Sequence, residues 1–570
     1  MNTNDVVALL NNIADLMDIK GEGFFKTRAY RMAAETLREL EEPIEQVVKE
    51  DRLQDLPNIG KAIAKKISTY VTTGSLPFYD ELINKVPLSL LDLLQIQSLG
   101  PKKVATVYNE LGITTINELK KAAQQHKLQD LEGFGVITEN NILRGIALQS
   151  KISGRSLLHY ALQQGTRYIE YLEKQRDIDQ ISLAGSLRRR KETIGDIDIL
   201  TASTQPDTVM NTFINYDQVE EVLLQGKTKT SVRLKDGIQV DLRVVEKNSY
   251  GSALQYFTGS KEHNVQLRSL ALKQNMKLNE YGVFSKENDT YLAGKTEKEV
   301  YETIGLPFIP PELRENRGEI EAAQKNNLPN LVQLSDIKGD LHIHSHMSDG
   351  VNTIEEIVTA AEKLGYTYIG ITDHSQSLKV AHGLSHKEVE KKCNHIRKIN
   401  ENSKVMVLCG TECDINLDGQ LDYADETLAL FDYVGIGIHT HFKMEKEQVT
   451  NRILIALDNP FVTFLAHPTC RLIGHRQGFE IDMDALFEKA IKTNTYLEIN
   501  AFPDRLDLTD INVKHAKEKG VKFIIGSDSH NVIHLSNMQY GVATARRGWL
   551  EKEDVLNTNS FPELKKRLNG

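Results

Sequence analysis

The chain has 570 residues, is 40% hydrophobic and 26% charged, and carries a net charge of -10 at pH 7. That is an ordinary globular composition in a chain too long for one core. No apolar run approaches the ~18–20 residues that span a membrane, and the start, MNTNDVVALLNN, lacks the basic and apolar segments of an export signal, so a cytoplasmic protein is expected. Cys393, Cys409, Cys413 and Cys470 are too few for a disulfide framework and lack the spacing of a zinc knuckle, so they are expected as buried or incidental thiols. Residues 336–570 hold 27 Lys and Arg against 34 Asp and Glu, and 14 of the 17 histidines lie between His342 and His534. Acid and histidine concentrated in one region suggest metal ligands more than a DNA-binding face.

Residues 1–150 are predicted helical, with apolar residues at helical spacing such as Val6, Leu9, Leu10, Ile13 and Leu16. One pattern recurs there: LPNIGKAIAKKI at 56–67, IQSLGPKKVATVY at 96–108 and LEGFGVITENNIL at 131–143. Each is an apolar lead, a tight turn and a helix, the form of a helix-hairpin-helix. Backbone N–H groups at such a turn hold a phosphate without reading bases. Gly60 with Lys61, and Gly100 with Lys102, are the candidate DNA contacts, supported by Lys65, Lys66 and Lys103. The third copy lacks these lysines, and its DNA binding stays open.

A helix is predicted over Leu157–Gln175 and a strand at Ile181. Then comes LAGSLRRRKETIGDIDIL at 183–200. Gly185-Ser186 makes a polar turn before Arg188, Arg189, Arg190 and Lys191, a combination suited to phosphate oxygens. Asp196 and Asp198 stand two apart in an apolar strand, so they project side by side, which is costly unless a cation sits between them. Lys235-Asp236-Gly237 is a hairpin signal, and its second arm brings Asp241. A strand neighbouring the acid pair would complete a three-carboxylate site for two metal ions and in-line phosphoryl transfer. Tyr256-Phe257-Thr258-Gly259-Ser260 and a helix from about Glu262 to Asn275 follow.

GSLRR, GDID, VDLR and YFTGS, in this order and spacing, resemble the palm and thumb of family X DNA polymerases, the group of DNA polymerase β. The resemblance covers residues 1–315 and implies a lyase-like helical domain (1–85), fingers (86–150), a nucleotidyltransferase palm (151–260) and a thumb (261–315). It implies that Asp196, Asp198 and Asp241 are the catalytic metal ligands. It places Gly185, Ser186, Arg189 and Gly195 on the incoming triphosphate, and Tyr256, Phe257 and Gly259 beside its sugar. Asn264 would reach the minor-groove edge of the new pair, and Arg268 the template strand. Lys66 falls where β-type enzymes carry a Schiff-base lyase lysine, with a phosphate-contacting lysine as the alternative.

Residues 316–335 are polar and are expected to be a linker. Beyond it a different unit repeats over 336–570: a short apolar run, an acid or histidine at its end, then a helix such as Thr353–Leu364 or Asp484–Lys492. Seven such runs imply parallel strands closing into a barrel with coordinating side chains at the strand ends. This half resembles the PHP (polymerase and histidinol phosphatase) domain, a distorted seven-stranded barrel. The resemblance implies that His342, His344, Asp349, His374, Glu412, His439, His467, Asp528 and His530 bind up to three ions.

The fold expected is therefore multidomain, α+β followed by α/β: a helix-hairpin-helix region, a palm with thumb, and a PHP-type (β/α)7 barrel. The combined resemblance implies a monomeric DNA polymerase that fills short gaps in base excision repair, using gapped or primed DNA and deoxynucleoside triphosphates. It also implies a 3′-5′ exonuclease in the barrel and incision at abasic sites. Mg2+ or Mn2+ would suit the palm, and Mn2+ or Zn2+ the barrel. On the residues alone, three readings stay open: a nucleotidyltransferase for RNA or a small molecule, a small-molecule phosphatase, and a structural metal module.

Overall fold

The computed structural model describes residues 3–38, 40, 44–94, 96, 98–152, 154–174 and 177–568. The chain divides into two compact units, Met1–Ser153 with Ile473–Gln477, and Gly154–Leu472 with Gly478–Gly570.

The first unit is helical, and Val6, Leu10, Ile13 and Leu16 are buried in its core as their spacing predicts. All three repeated turns form in the same way. The carbonyls of Leu56, Ile96 and Leu131 accept from the N–H three residues on. The third turn residue has left-handed backbone in each: Asn58 (φ 61°), Ser98 (φ 72°) and Gly133 (φ 78°). Asn and Gly tolerate that conformation, and Ser98 is the costlier choice. Helices α1 (Lys61–Thr73), α2 (Pro101–Leu111) and α3 (Val136–Ile152) follow the turns.

In the second unit, helix α4 (Leu158–Leu172) packs on a five-stranded sheet; the predicted end of this helix, Gln175, lies outside the described residues. The strands are β1 (Gln180–Leu183), β2 (Asp196–Ala202), β3 (Val219–Gln225), β4 (Lys229–Leu234) and β5 (Gln239–Val245), in the order β1-β2-β5-β4-β3. The β4–β5 hairpin turns through Gly237 (φ 88°), and the Asp236 side chain accepts from the Ile238 N–H at 3.0 Å. Helices α5 (Tyr250–Thr258) and α6 (Lys261–Lys273) lead to a small antiparallel sheet of β6 (Met276–Asn279), β7 (Gly282–Ser285) and β8 (Tyr291–Ala293). Residues 316–335, read from sequence as a polar linker, contain the helix Glu319–Gln324. Its Ile320 and Ala323 are buried with Leu331 in the core of this region.

The C-terminal part has seven parallel strands in sequential order: β9 (Gly339–Ile343), β10 (Tyr368–Ile371), β11 (Met406–Asp414), β12 (Tyr433–Gly437), β13 (Val462–Leu465), β14 (Tyr496–Asn500) and β15 (Phe523–Gly526). A parallel bridge between Ile343 and Ser529 nearly closes the barrel. Tyr433 and Phe464 fill its interior, and glycines make room for them. A Cβ on Gly370 would stand 1.9 Å from Tyr433 Oη, and one on Gly435 would stand 2.3 Å from Phe464 Cζ. Two cysteines depart from expectation. Cys393, on helix α7 (His386–Asn400), and Cys409, on β11, form a disulfide, because α7 packs back on that strand and brings their Cα atoms within 5.5 Å. Cys413 and Cys470 are buried, as read from the sequence.

Candidate functional site

Strand alternation puts Asp196 and Asp198 on one face of β2, while Ile197 and Ile199 are buried on the other. Strand β5 runs parallel to β2 with Asp241 opposite Asp198. The three carboxylates offer oxygens within 4.8 Å of one another. Burial, together with Asp196 and Asp241, pushes the Asp198 carboxyl up to about 7. Burial and Asp241 also raise Asp196. Burial would raise Asp241 too, but hydrogen bonds from Lys229 at 2.5 Å and Gln239 at 2.8 Å hold it below the ordinary range. The Lys229 ammonium thus stands in for one cation at a site whose donors are all oxygen, which fits Mg2+ or Mn2+. Gly185 (φ 60°) lies against the acids, and a Cβ there would stand 2.0 Å from Asp198 Oδ2.

The other nucleotide candidates differ in how they are held. Ser186 lies on the short helix Gly185–Arg188, and Gly195 directly precedes Asp196. Arg188 forms two hydrogen bonds to Glu297, at 2.8 and 2.6 Å, and Arg314 adds a third at 2.7 Å. Arg189 is engaged within the protein, with Nε on Glu315 at 2.9 Å and Nη1 on the Thr258 carbonyl at 2.5 Å. Tyr256 and Phe257 sit on the last turn of α5, edge to face at 5.1 Å, and the Arg243 guanidinium covers Phe257 at 4.3 Å. Gly259 (φ 68°) ends that helix. Asn264 is buried, donating to the Tyr256 carbonyl at 2.7 Å and accepting from Gln255 at 2.7 Å. Arg268 lies one turn along α6, partly exposed.

In the first unit, Gly60 and Gly100 cap their helices with no atom within 4 Å of where a Cβ would stand, so the backbone is approachable. Lys61 and Lys102 follow, both exposed. Lys66 Nζ lies 4.7 Å from the Phe78 ring centre and 5.7 Å from that of Tyr30. A cavity of about 570 Å³ beside it is lined by Lys20, Lys26, Lys61 and Lys85.

In the barrel the strand ends converge as the repeat predicts. Glu412 is the centre. Its Oε2 lies 3.3–3.5 Å from His342, His344 and His374, and its Oε1 lies 2.7 Å from His467 and 3.0 Å from His439. Asp349 lies 3.3–3.5 Å from His344, His374 and His530. Three groups of mutually close donors result: His344, Asp349, His374 and His530; His342, His344 and Asp528; and His374, Glu412 and His439. His467 joins through Glu412. His342 Nε2 faces His344 Nε2 at 3.2 Å, and the buried Nδ1 atoms of His344 and His374 have no hydrogen-bond partner. Buried unpartnered nitrogens among carboxylates fit metal ligation. Burial would raise Glu412, but His439, His342, His467 and His374 hold it well below the ordinary range. Burial, with His530 and His374 nearby, lowers His344 to about 4, which leaves it neutral and ready to ligate. Asp528 (φ 53°) and His467 (φ 27°) hold left-handed backbone, strain of the kind that collects at functional sites.

Sequence reading missed the groups that support these ligands. Glu498 Oε1 lies 2.6 Å from His342 Nδ1, and its Oε2 accepts from the His467 N–H at 2.6 Å. Asp414 lies 3.2 Å from His439 Nδ1, and Arg505 3.3 Å from Asp528. Lys392, fully buried, pairs with Asp373 at 2.9 Å, and Asp373 accepts from Ser345 and Ser348 in the loop that carries Asp349. An acid inside the apolar run YLEIN was a usable signal for Glu498. Lys392 gave none, because a helical lysine reads as exposed.

Family models match four stretches of the chain. Residues 1–76 match a helix-hairpin-helix domain, 90–147 a SAM-like helix-hairpin-helix tandem, 253–315 the DNA polymerase beta thumb and 340–558 the PHP domain. A polymerase thumb beside the carboxylate triad and a PHP fold around the histidines define the class: a polymerase joined to a PHP domain. The chain is 39% identical to the DNA polymerase/3′-5′ exonuclease PolX of Bacillus subtilis (strain 168) over 567 residues, 99% of each chain. It belongs to the PolX family of DNA polymerase/3′-5′ exonucleases. More distant similarity links 241 residues, 40% of this chain and 95% of the other, to a probable phosphatase of Acetivibrio thermocellus at 30% identity. A further 300-residue match, 46% of this chain and 54% of the other, is to DNA polymerase lambda of Arabidopsis thaliana at 25% identity.

Proposed function

We propose that this chain fills short gaps in damaged DNA from deoxynucleoside triphosphates, as in base excision repair, and that its barrel trims 3′ ends and incises abasic sites. The observation that carries this reading is the pairing in one chain of an all-oxygen donor cluster and a histidine-rich one. Divalent ions at both supply Lewis acidity and charge neutralisation for phosphoryl transfer. Asp196, Asp198 and Asp241 would hold Mg2+ or Mn2+. The nine barrel residues His342, His344, Asp349, His374, Glu412, His439, His467, Asp528 and His530 would hold up to three Mn2+ or Zn2+. Gly185, Ser186, Gly195 and Arg189 would orient the triphosphate, and Tyr256, Phe257 and Gly259 would wall its sugar. Asn264 and Arg268 would meet the new pair and the template. Gly60, Lys61, Gly100 and Lys102 would hold the DNA backbone. We place the protein in the cytoplasm as a monomer, divided at the boundaries read from the sequence.

The test is one gapped, 5′-phosphorylated duplex given to wild type, to Asp196→Ala/Asp198→Ala and to His342→Ala/His344→Ala. The first variant is expected to lose synthesis and keep degradation, and the second to do the reverse. Loss of both activities in either variant would contradict two separate centres. Lys66 has a test of its own. Its Nζ lies against the rings of Phe78 and Tyr30, and a Schiff-base lysine would attack the aldehyde of an incised abasic site. Borohydride is expected to trap the wild-type chain on incised abasic DNA and to trap no Lys66→Ala protein; equal trapping of both would leave Lys66 as a phosphate contact.

A further inference from the structure

Arg189 is read above as a triphosphate contact, yet its guanidinium donates inside the protein, from Nε to Glu315 and from Nη1 to the Thr258 carbonyl. Its neighbour Arg188 has a separate partner, Glu297, so the engagement of Arg189 is not shared by the whole basic cluster. Glu315 is itself divided between two arginines. Arg547, on helix α8 (Met538–Arg547) of the PHP domain, reaches the same oxygen at 2.9 Å and also donates to the Arg189 carbonyl at 2.7 Å. Lys191 stands 4.0 Å from the other oxygen. The second arm of Arg547 is fixed by Asp510 at 2.6 Å, and Asp510 is paired in turn with Arg317 at 2.9 Å. Arg547 is only 4% exposed and Glu315 10%, so these charges interact with little screening by water.

A buried carboxylate that loses its only cation is strongly destabilised, whereas one that keeps a second cation is not. We infer that Arg547 is a positioning residue for the polymerase reaction: it neutralises Glu315 from the PHP side, so that Arg189 can leave that carboxylate for the triphosphate. Arg189 parks on Glu315 without nucleotide and transfers to the phosphates with it, and Arg547 and Lys191 keep Glu315 compensated after the transfer. This rests on the reading of Arg189 as a triphosphate contact. Without Arg547, Glu315 would hold Arg189 more tightly and nucleotide affinity would fall.

The test is steady-state synthesis by the full chain on a gapped duplex, with nucleotide varied, for Arg547→Gln, Glu315→Gln, their double variant and Arg189→Ala. Degradation of 3′ ends by the same preparations reports the state of the barrel. Arg547→Gln is expected to raise KM for nucleotide about tenfold, a usual size for coupled charges, and to leave kcat and degradation near wild type. Glu315→Gln is expected to lower KM, and the double variant to match Glu315→Gln. An Arg547→Gln effect of equal size in both backgrounds, or one that falls on kcat and degradation together, would overturn the inference. If Arg547→Gln does not fold, Glu315→Gln decides alone, and a KM that does not fall overturns it. An unchanged KM in Arg189→Ala would instead sink the reading of Arg189 itself.

Discussion

Glu498 accepts from His342 Nδ1 and so turns the opposite ring nitrogen toward Glu412 and Asp528. Carboxylates behind ligating histidines fix tautomer and orientation. Glu498→Gln is expected to weaken ion binding by the barrel ~10–100-fold with little loss of fold, as measured by Mn2+ titration. In the palm, the Asp198 carboxyl is raised from 3.8 to about 7. The folded ion-free chain therefore holds a proton there that the unfolded chain has released. The stability it confers is complete below about pH 4 and is lost as pH rises through about 7. Thermal unfolding of ion-free protein between pH 4 and 8 should show this loss in wild type and lack it in Asp198→Asn. At this scale, side chains tied to strand alternation were legible, Asp196 and Asp198 above all. Glu498 stood out as an acid in an apolar run, but its pairing did not, because His342 lies 156 residues away. Lys229 was not legible, because only the β4–β5 register brings it to Asp241.

The elements themselves followed local chemistry. The three hairpins repeat one left-handed turn position before one helix start, and the sequence showed both. Lys61→Ala and Lys102→Ala are each expected to weaken DNA binding alike for unrelated sequences. Each should also reduce the salt dependence by about one counterion, measurable by binding at several salt concentrations. The barrel strands and helices were legible in the same way: the helix read as Thr353–Leu364 forms over Ile354–Lys363, and the one read as Asp484–Lys492 over Met483–Thr493. Its interior was not, because no local pattern tells which glycine faces which ring. Gly370→Ala would press on Tyr433 Oη, and an overpacked core of this kind costs about 1–3 kcal/mol, visible as a lower melting temperature with unchanged chemistry at the metal sites. The linker reading missed the packing of Ile320, Ala323 and Leu331 because their polar neighbours dominate the composition.

Across the second unit, the palm, the thumb and the segment after it are tied to the barrel by Arg471–Glu192, Arg546–Glu312, Arg547–Glu315 and Arg317–Asp510, none of them local in sequence and none legible there. Residues 154–570 are therefore expected to melt in one calorimetric transition, with synthesis and degradation lost over the same temperatures. Within the barrel, Glu412 presents one oxygen to His342, His344 and His374 and the other to His439 and His467. His344 and His374 each belong to two donor groups. Sites that share ligands cannot fill independently: an ion that fixes Glu412 leaves less freedom for the next to remove. The barrel should thus load cooperatively, with a sigmoidal isotherm, and loss of the Glu412 carboxylate alone should forfeit more than one equivalent of metal.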